Sequence, residues 1–153
     1  MRLTTKGKYG LRAMVDLAQH HGKGPISLKS IAERQDISEA YLEQLFATLR
    51  RAHLIQSVRG ATGGYILAQD PWDITVGDII RVLDGPVVPV NCLEEYSTEL
   101  CPRISHCPSR QVWLLLQEVI NTTLDKFNLG KLSQSFSDSE FTACILSVTD
   151  DKE

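Results

Sequence analysis

The sequence predicts a mainly α, α+β fold: a winged helix-turn-helix with a two-stranded wing, followed by a long helix. Three observations predict it. Two short helical periods are separated by a tight turn. A β-branched run and a glycine-rich turn follow them directly. A long apolar stripe then recurs at helical spacing beyond a proline-punctuated loop.

Taken in order, Leu11, Met14, Val15, Leu17 and Ala18 mark a first helix over 5–21, with Thr4 or Thr5 as its N-cap. Gly22, Gly24 and Pro25 end it. Ser27 caps a short helix carrying Leu28, Ile31 and Ala32 that stops near Asp36. Ser38 caps a third, with Tyr41, Leu42, Leu45, Phe46 and Leu49 inward. Residues 54–59 and 65–67 read as strands joined by a Gly60–Gly64 turn, which makes a wing. Thr75 caps a helix containing Val76, Ile79, Ile80 and Leu83, stopped by Gly85 and Pro86. The stretch 86–108 carries four prolines and no period, so it reads as an irregular loop. Ser109 opens the longest helix, with Val112, Trp113, Leu116, Val119, Ile120, Thr123, Leu124 and Phe127 on its stripe, ending near Gly130. The expected organisation is a DNA-binding unit over 1–85, a cysteine loop over 86–108, a dimerisation helix over 109–130 and a terminal segment over 131–153 with a frayed end.

With 153 residues, 42% apolar and 23% charged, the composition is that of an ordinary globular protein. No run reaches the roughly 18 apolar residues needed to span a bilayer. Met1–Lys8 is basic but lacks the apolar core of a signal peptide, so a cytoplasmic location is expected. The net charge of −3 hides an asymmetry. Through Tyr65 there are ten Lys/Arg against five Asp/Glu; beyond it there are six against fourteen. A basic front half supplies the local field that draws phosphate.

Groove reading needs outward side chains that donate to or accept from base edges. The third helix offers Ser38, Glu39, Ala40, Tyr41, Glu43, Gln44 and Thr48. Gln44 suits adenine, Glu43 the cytosine amine, and Tyr41 a phosphate. Arg50 and Arg51 extend the basic surface. Arg59 stands at the wing tip, where glycines permit close approach and an arginine can enter a narrow minor groove. Arg2, Lys6 and Lys8 fit phosphate contacts that set register. The long helix carries more apolar surface than one chain can cover, which predicts a homodimer on a palindromic double-stranded operator.

Cys92, Cys101 and Cys107 are spaced Cys-x8-Cys-x5-Cys, and a reducing compartment argues against disulfides. The short Cys-x2-4-Cys knuckles of structural zinc sites are absent from this stretch. An iron–sulfur cluster is wider than one ion and tolerates looser spacing. Zinc and a metal-free thiol switch are the rival readings. Cys144, among Phe, Ala, Ile and Leu, reads as a buried small hydrophobe rather than a ligand.

Four motifs carry a resemblance. Met1-Arg-Leu-Thr-Thr-Lys-Gly-Lys-Tyr-Gly10, Ser38-x-x-Tyr41-Leu-Glu-Gln-Leu-Phe46, Val58-Arg-Gly-x-x-Gly-Gly-Tyr65 and Val76-Gly-Asp-Ile-Ile80 occur in that order. Over nearly the whole chain to about Leu132 it resembles the winged-helix regulators typified by IscR, a family that also includes NsrR and CymR. The resemblance implies a homodimeric, non-enzymatic transcription regulator with a long dimerisation helix. In cluster-bearing members it implies an iron–sulfur centre on three cysteines, here Cys92, Cys101 and Cys107. A 2Fe–2S cluster is the expected form, with 4Fe–4S the other nuclearity. Two departures stand out. The first cysteine gap exceeds the five residues usual in IscR, and Arg110 replaces the histidine that ligates there. The acidic ligand that NsrR-type members place near the N-terminus is Lys8 here. Glu43 from a partner subunit is therefore the leading fourth ligand, with His106 second. Cluster occupancy would then change operator binding. The alternative is a cluster-free regulator in the manner of CymR, acting through a partner protein, thiol oxidation or zinc. No nucleotide-binding glycine loop or nucleophile–base pair supports an enzyme.

Overall fold

The computed structural model describes residues 3–94 and 101–134. Helices α1 (Thr5–Gln19), α2 (Leu28–Gln35) and α3 (Glu39–Arg51) precede strands β1 (Ile55–Val58) and β2 (Gly64–Leu67). Helices α4 (Val76–Asp84), α5 (Arg110–Lys126) and α6 (Leu129–Ser133) follow, with one 3-10 turn at Asn91–Leu93.

Side chains set the helix starts as the sequence predicts. Thr4, Ser27 and Ser38 each accept a bond from a first-turn amide: Lys6 N at 3.1 Å, Ser30 N at 3.2 Å and Tyr41 N at 3.2 Å. Thr75 and Asp78 form a reciprocal capping box on α4. Helix α2 ends at Asp36 in the left-handed region, φ 53° and ψ 52°, which turns the chain into α3. The start of α1 has a second, distant partner. Asp84, the last residue of α4, accepts from Thr4 N at 2.9 Å, Gly7 N at 3.2 Å and the Thr4 hydroxyl. A carboxylate there meets the positive end of the helix dipole. A Cβ on Gly7 would fall 2.5 Å from Asp84 Oδ2, so a side chain there would push the carboxylate away from the helix start.

The core lies between α1, α2, α3 and the wing. Met14, Leu17, Ile31, Leu42, Phe46, Leu49, Ile55, Ile74 and Ile79 are all fully buried. Each such side chain contributes about 1.5–3 kcal/mol by leaving water. Phe46→Ala, which opens a cavity at the centre, would cost about 3–5 kcal/mol.

The wing is a two-stranded antiparallel hairpin with Ile55 opposite Leu67 and Val58 opposite Gly64. A lone hairpin is marginal in water. This one is held by burial of Ile55 and Leu67 and by the Tyr65 ring, edge-on to Phe46 at 5.0 Å. Ile26 and Tyr65 also exchange backbone bonds of 3.0 and 2.8 Å, tying β2 to the start of the helix-turn-helix.

The long helix differs from expectation at its end. It stops at Lys126 rather than near Gly130, because Phe127 is extended and Asn128 caps α6 by accepting from Lys131 N at 2.9 Å. Phe127 and Leu129 pair with Val76 and Ile74 through backbone bonds of 2.8 and 2.9 Å. Leu129 is consequently fully buried in the main core. Ile120, Leu124 and Phe127 pack on a smaller cluster of Val76, Ile80 and Val87. Arg81 of α4 bonds Asp125 and, at 3.3 Å, Asn121. No residue of α5 is buried, and Val112, Leu114, Leu115 and Leu116 are 60%, 42%, 46% and 40% exposed. The expected frayed end, Cys144 and Arg2 lie outside the described residues.

Candidate nucleic-acid interface and cysteine segment

Helix α3 turns Leu42, Leu45, Phe46 and Leu49 into the core, which leaves the opposite face free by helical period alone. Ser38, Glu39, Ala40, Glu43, Gln44, Arg50 and Arg51 are exposed there. Gln44 and Glu43 are thus presented outward on α3, away from the core. Tyr41 is half-buried, its ring edge-on to Tyr9 of α1 at 6.2 Å. That packing holds α3 against α1. Lys8 and Arg12 flank the other tyrosine, 5.9 and 5.5 Å from the Tyr9 ring centre. The Thr48 hydroxyl donates to the Gln44 carbonyl at 3.3 Å and accepts from Arg51 at 3.2 Å. Arg50 reaches Ser57 of β1 at 3.4 Å, a tie between helix and wing that no local sequence signal announces.

Arg59 is exposed immediately after β1. The turn beyond it depends on glycine. Gly60 has φ 121°, and a Cβ on Gly63 would lie 2.3 Å from the Val58 carbonyl oxygen. Lys6 and Lys8 are exposed on the first turn of α1. The wing, the first turn of α1 and the outer face of α3 each offer exposed cations or hydrogen-bonding side chains: Arg59, Lys6 and Lys8, and Glu43 and Gln44.

The cysteines occupy the connection between α4 and α5. Cys92 lies in the 3-10 turn; Cys101 and Cys107 bracket the turns before α5. All three are half-buried free thiols. The Cys107 sulfur lies 3.1 Å from the Ser109 hydroxyl. That bond holds its pKa below the ordinary thiol value, helped by the Arg110 and Ser109 amides and the Arg103 charge. His106 is exposed and its Nδ1 is 2.7 Å from the Ser105 hydroxyl. Among the described residues, no three His, Cys, Asp or Glu side chains stand close enough to hold one ion. Neither Glu43 nor His106 is brought to the thiols within such a group. Three thiols free of disulfides are the kind of donor an iron–sulfur cluster takes, but the described residues do not gather them. A further feature escaped sequence reasoning. The Nε of Arg110, on the first turn of α5, is buried without a hydrogen-bond partner.

Residues 3–135 match the family model Rrf2, described as an iron-dependent transcriptional regulator. The HTH-type transcriptional regulator CymR of Bacillus subtilis is 46% identical over 140 residues, covering 92% of this chain and 94% of that one. The solved structure of CymR, the global cysteine regulator of B. subtilis, superposes with a TM-score of 0.73 at 46% identity, over 87% of this chain and 96% of that one. The structure of IscR from T. potens gives 0.68 at 46% identity, over 92% and 96%. Among the described residues, six helices with a two-stranded wing agree with these matches: the chain is a non-enzymatic, DNA-binding transcription regulator and belongs to the Rrf2 family.

Proposed function

We propose that the protein acts as a homodimer on a palindromic operator and adjusts that binding to an iron–sulfur cluster held by Cys92, Cys101 and Cys107. The observation that supports this reading is the position of three free thiols on the connection between α4 and α5, next to the exposed first half of α5. When bound, the cluster supplies a redox-sensitive tether for that connection. The residues of the chain do the rest. Gln44 and Glu43 read bases, Arg59 enters the minor groove beside the wing, and Lys6, Arg50 and, outside the described residues, Arg2 contact phosphates. Glu43 of a partner subunit is the first choice for a fourth ligand and His106 the second. The expected cluster is 2Fe–2S, and the expected compartment is the cytoplasm, where no helix of the described residues is long and apolar enough to cross a membrane.

Anaerobic purification followed by visible and EPR spectra, iron and sulfide analysis and operator titration tests the reading. Coloured protein whose operator affinity changes on cluster loss supports it; colourless protein without iron or sulfide, binding the operator unaltered, refutes it. Glu43→Ala with unchanged spectrum and cluster lifetime would exclude the carboxylate as a ligand. A second reading has its own support. The described residues do not gather three donors, and the similarity to a cysteine regulator favours thiol or partner-protein control without a cluster.

A further inference from the structure

Gly7 and Gly10, one turn apart on α1, face Asp84 and Leu83 at the end of α4. A Cβ on Gly10 would overlap Leu83 Cδ1, as one on Gly7 would crowd Asp84. Glycine inside a helix weakens it, so the pair marks an approach of the two helices that outweighs that cost. What the approach delivers is one carboxylate. Asp84 accepts from Thr4 N at 2.9 Å, from Gly7 N at 3.2 Å and from the Thr4 hydroxyl. That hydroxyl in turn accepts from Lys6 N at 3.1 Å. A single side chain of α4 therefore fixes the backbone on both sides of Lys6, whose own side chain is exposed. Thr4, Thr5, Lys6 and Asp84 line a groove of about 300 Å³ together with Tyr41 of α3. Helix α4 is held in turn by Arg81, which bonds Asp125 and Asn121 of α5.

We propose that Asp84 is a positioning residue for DNA binding: it clamps the first turn of α1 so that Lys6 meets a phosphate in a fixed register. The inference rests on the reading of Lys6 as a phosphate contact and deepens it. Helix ends fray where their orphan amides are not held, and here Asp84 and Thr4 hold those of residues 4, 6 and 7. A lysine already gives up rotamer freedom to reach a phosphate, and a fraying backbone beneath it would add to that cost. Asp84 works through Lys6 and touches no DNA itself, because its own charge repels phosphate.

The test titrates full-length wild type, Lys6→Ala, Asp84→Asn, Asp84→Ala and the Lys6→Ala, Asp84→Ala double variant across a salt series. The probes are a duplex that the wild type selects from a random-sequence pool, and the unselected pool itself. Circular dichroism and thermal melting on the same samples give the folded fraction, to which each affinity is referred. Asp84→Ala is expected to weaken binding of both probes about tenfold, the size of one charge-assisted hydrogen bond. It should also lower the salt slope by about one, as Lys6→Ala does. The double variant should bind no more weakly than the weaker single one, because clamp and lysine serve one contact. Asp84→Asn should fall in between, since its amide oxygen still accepts but carries no charge. Thr4→Val removes the hydroxyl link, keeps the carboxylate and should also lower the slope; it carries the test if Asp84→Ala does not fold. Losses that add in the double variant would separate Asp84 from Lys6 and overturn the proposal. Asp84 variants that bind both probes more tightly would do the same, by showing simple repulsion. Wild-type affinity and slope in the Asp84 variants, with both lowered in Lys6→Ala, would overturn the clamp and leave the lysine contact standing. A wild-type slope in Lys6→Ala would overturn both.

Discussion

Arg34 grips Asp16 through two parallel hydrogen bonds, Nε to Oδ2 at 3.0 Å and Nη2 to Oδ1 at 2.6 Å, and so locks α2 onto the buried face of α1. Gln35 adds a third bond at 2.9 Å, and His20 stands 3.6 Å away. Asp16 is only 2% exposed. Burial alone would push its carboxyl upward, but the bonds from Arg34 and Gln35 and the nearby positive charge win, and its pKa lies below the ordinary carboxylate range.

The sign of the resulting pH dependence follows. A depressed folded-state pKa contributes stability that is complete above the unfolded value, near pH 4, and is lost as pH falls through the lower folded value. Urea unfolding between pH 2 and 7 should therefore show a steeper acid loss for the wild type than for Asp16→Asn. At neutral pH, Asp16→Ala should cost about 2 kcal/mol. That is below the usual cost of breaking a buried pair, because Arg34 is 39% exposed and regains water.

Gly64 faces the Ile26 carbonyl so closely that a Cβ would fall 2.3 Å from its oxygen. Gly64→Ala should part the wing from the helix-turn-helix, at a cost of about 1–3 kcal/mol. Operator affinity should fall with it, as thermal melting and a binding titration on the same sample would show.

The two classes of DNA contact should separate by salt. Gln44→Ala should lose about 1–3 kcal/mol on the matched operator and relax selectivity at a single base position. Lys6→Ala should weaken all sequences alike and reduce the salt slope by about one. Arg59→Ala should weaken binding and flatten discrimination where the wing docks. Equal affinity of that variant for the specific operator would remove Arg59 from the interface.

Val112 is the most exposed large apolar side chain of α5. Placing a charge there should leave the fold intact and disrupt self-association, since nothing among the described residues covers it. Sedimentation of Val112→Asp should show the monomer, with operator binding reduced at least tenfold.

The helix-turn-helix and the wing were legible because their signals are local. Ser27, Ser38 and Thr75 cap where a polar residue precedes an apolar period, and Gly60 to Gly64 mark a turn that only glycine fits. Asp16 was illegible, because a carboxylate inside an apolar stripe has no sequence signal for a partner on the next helix. The Asp84 cap on α1 spans 80 residues and is equally silent. Asn128 read as part of a continuing helix, since its capping role depends on Phe127 pairing with Val76. Cysteine spacing offered candidate donors, but no spacing rule says whether one chain gathers them, and the described residues do not.

Helix α5 is pinned to the body through the Arg81–Asp125 ion pair and the Phe127–Val76 bond, both at its far end, while Arg110 opens the end next to the cysteines. Seventeen residues at 1.5 Å each make a rod of about 25 Å. Swinging such a rod by ~10° about its pinned end carries the tip through ~4 Å, more than a hydrogen-bond length. A shift of ~4 Å at the cysteine end would thus tilt the whole rod by ~10° about its pinned end, so the exposed face of α5 changes its angle to the winged body rather than its place along it.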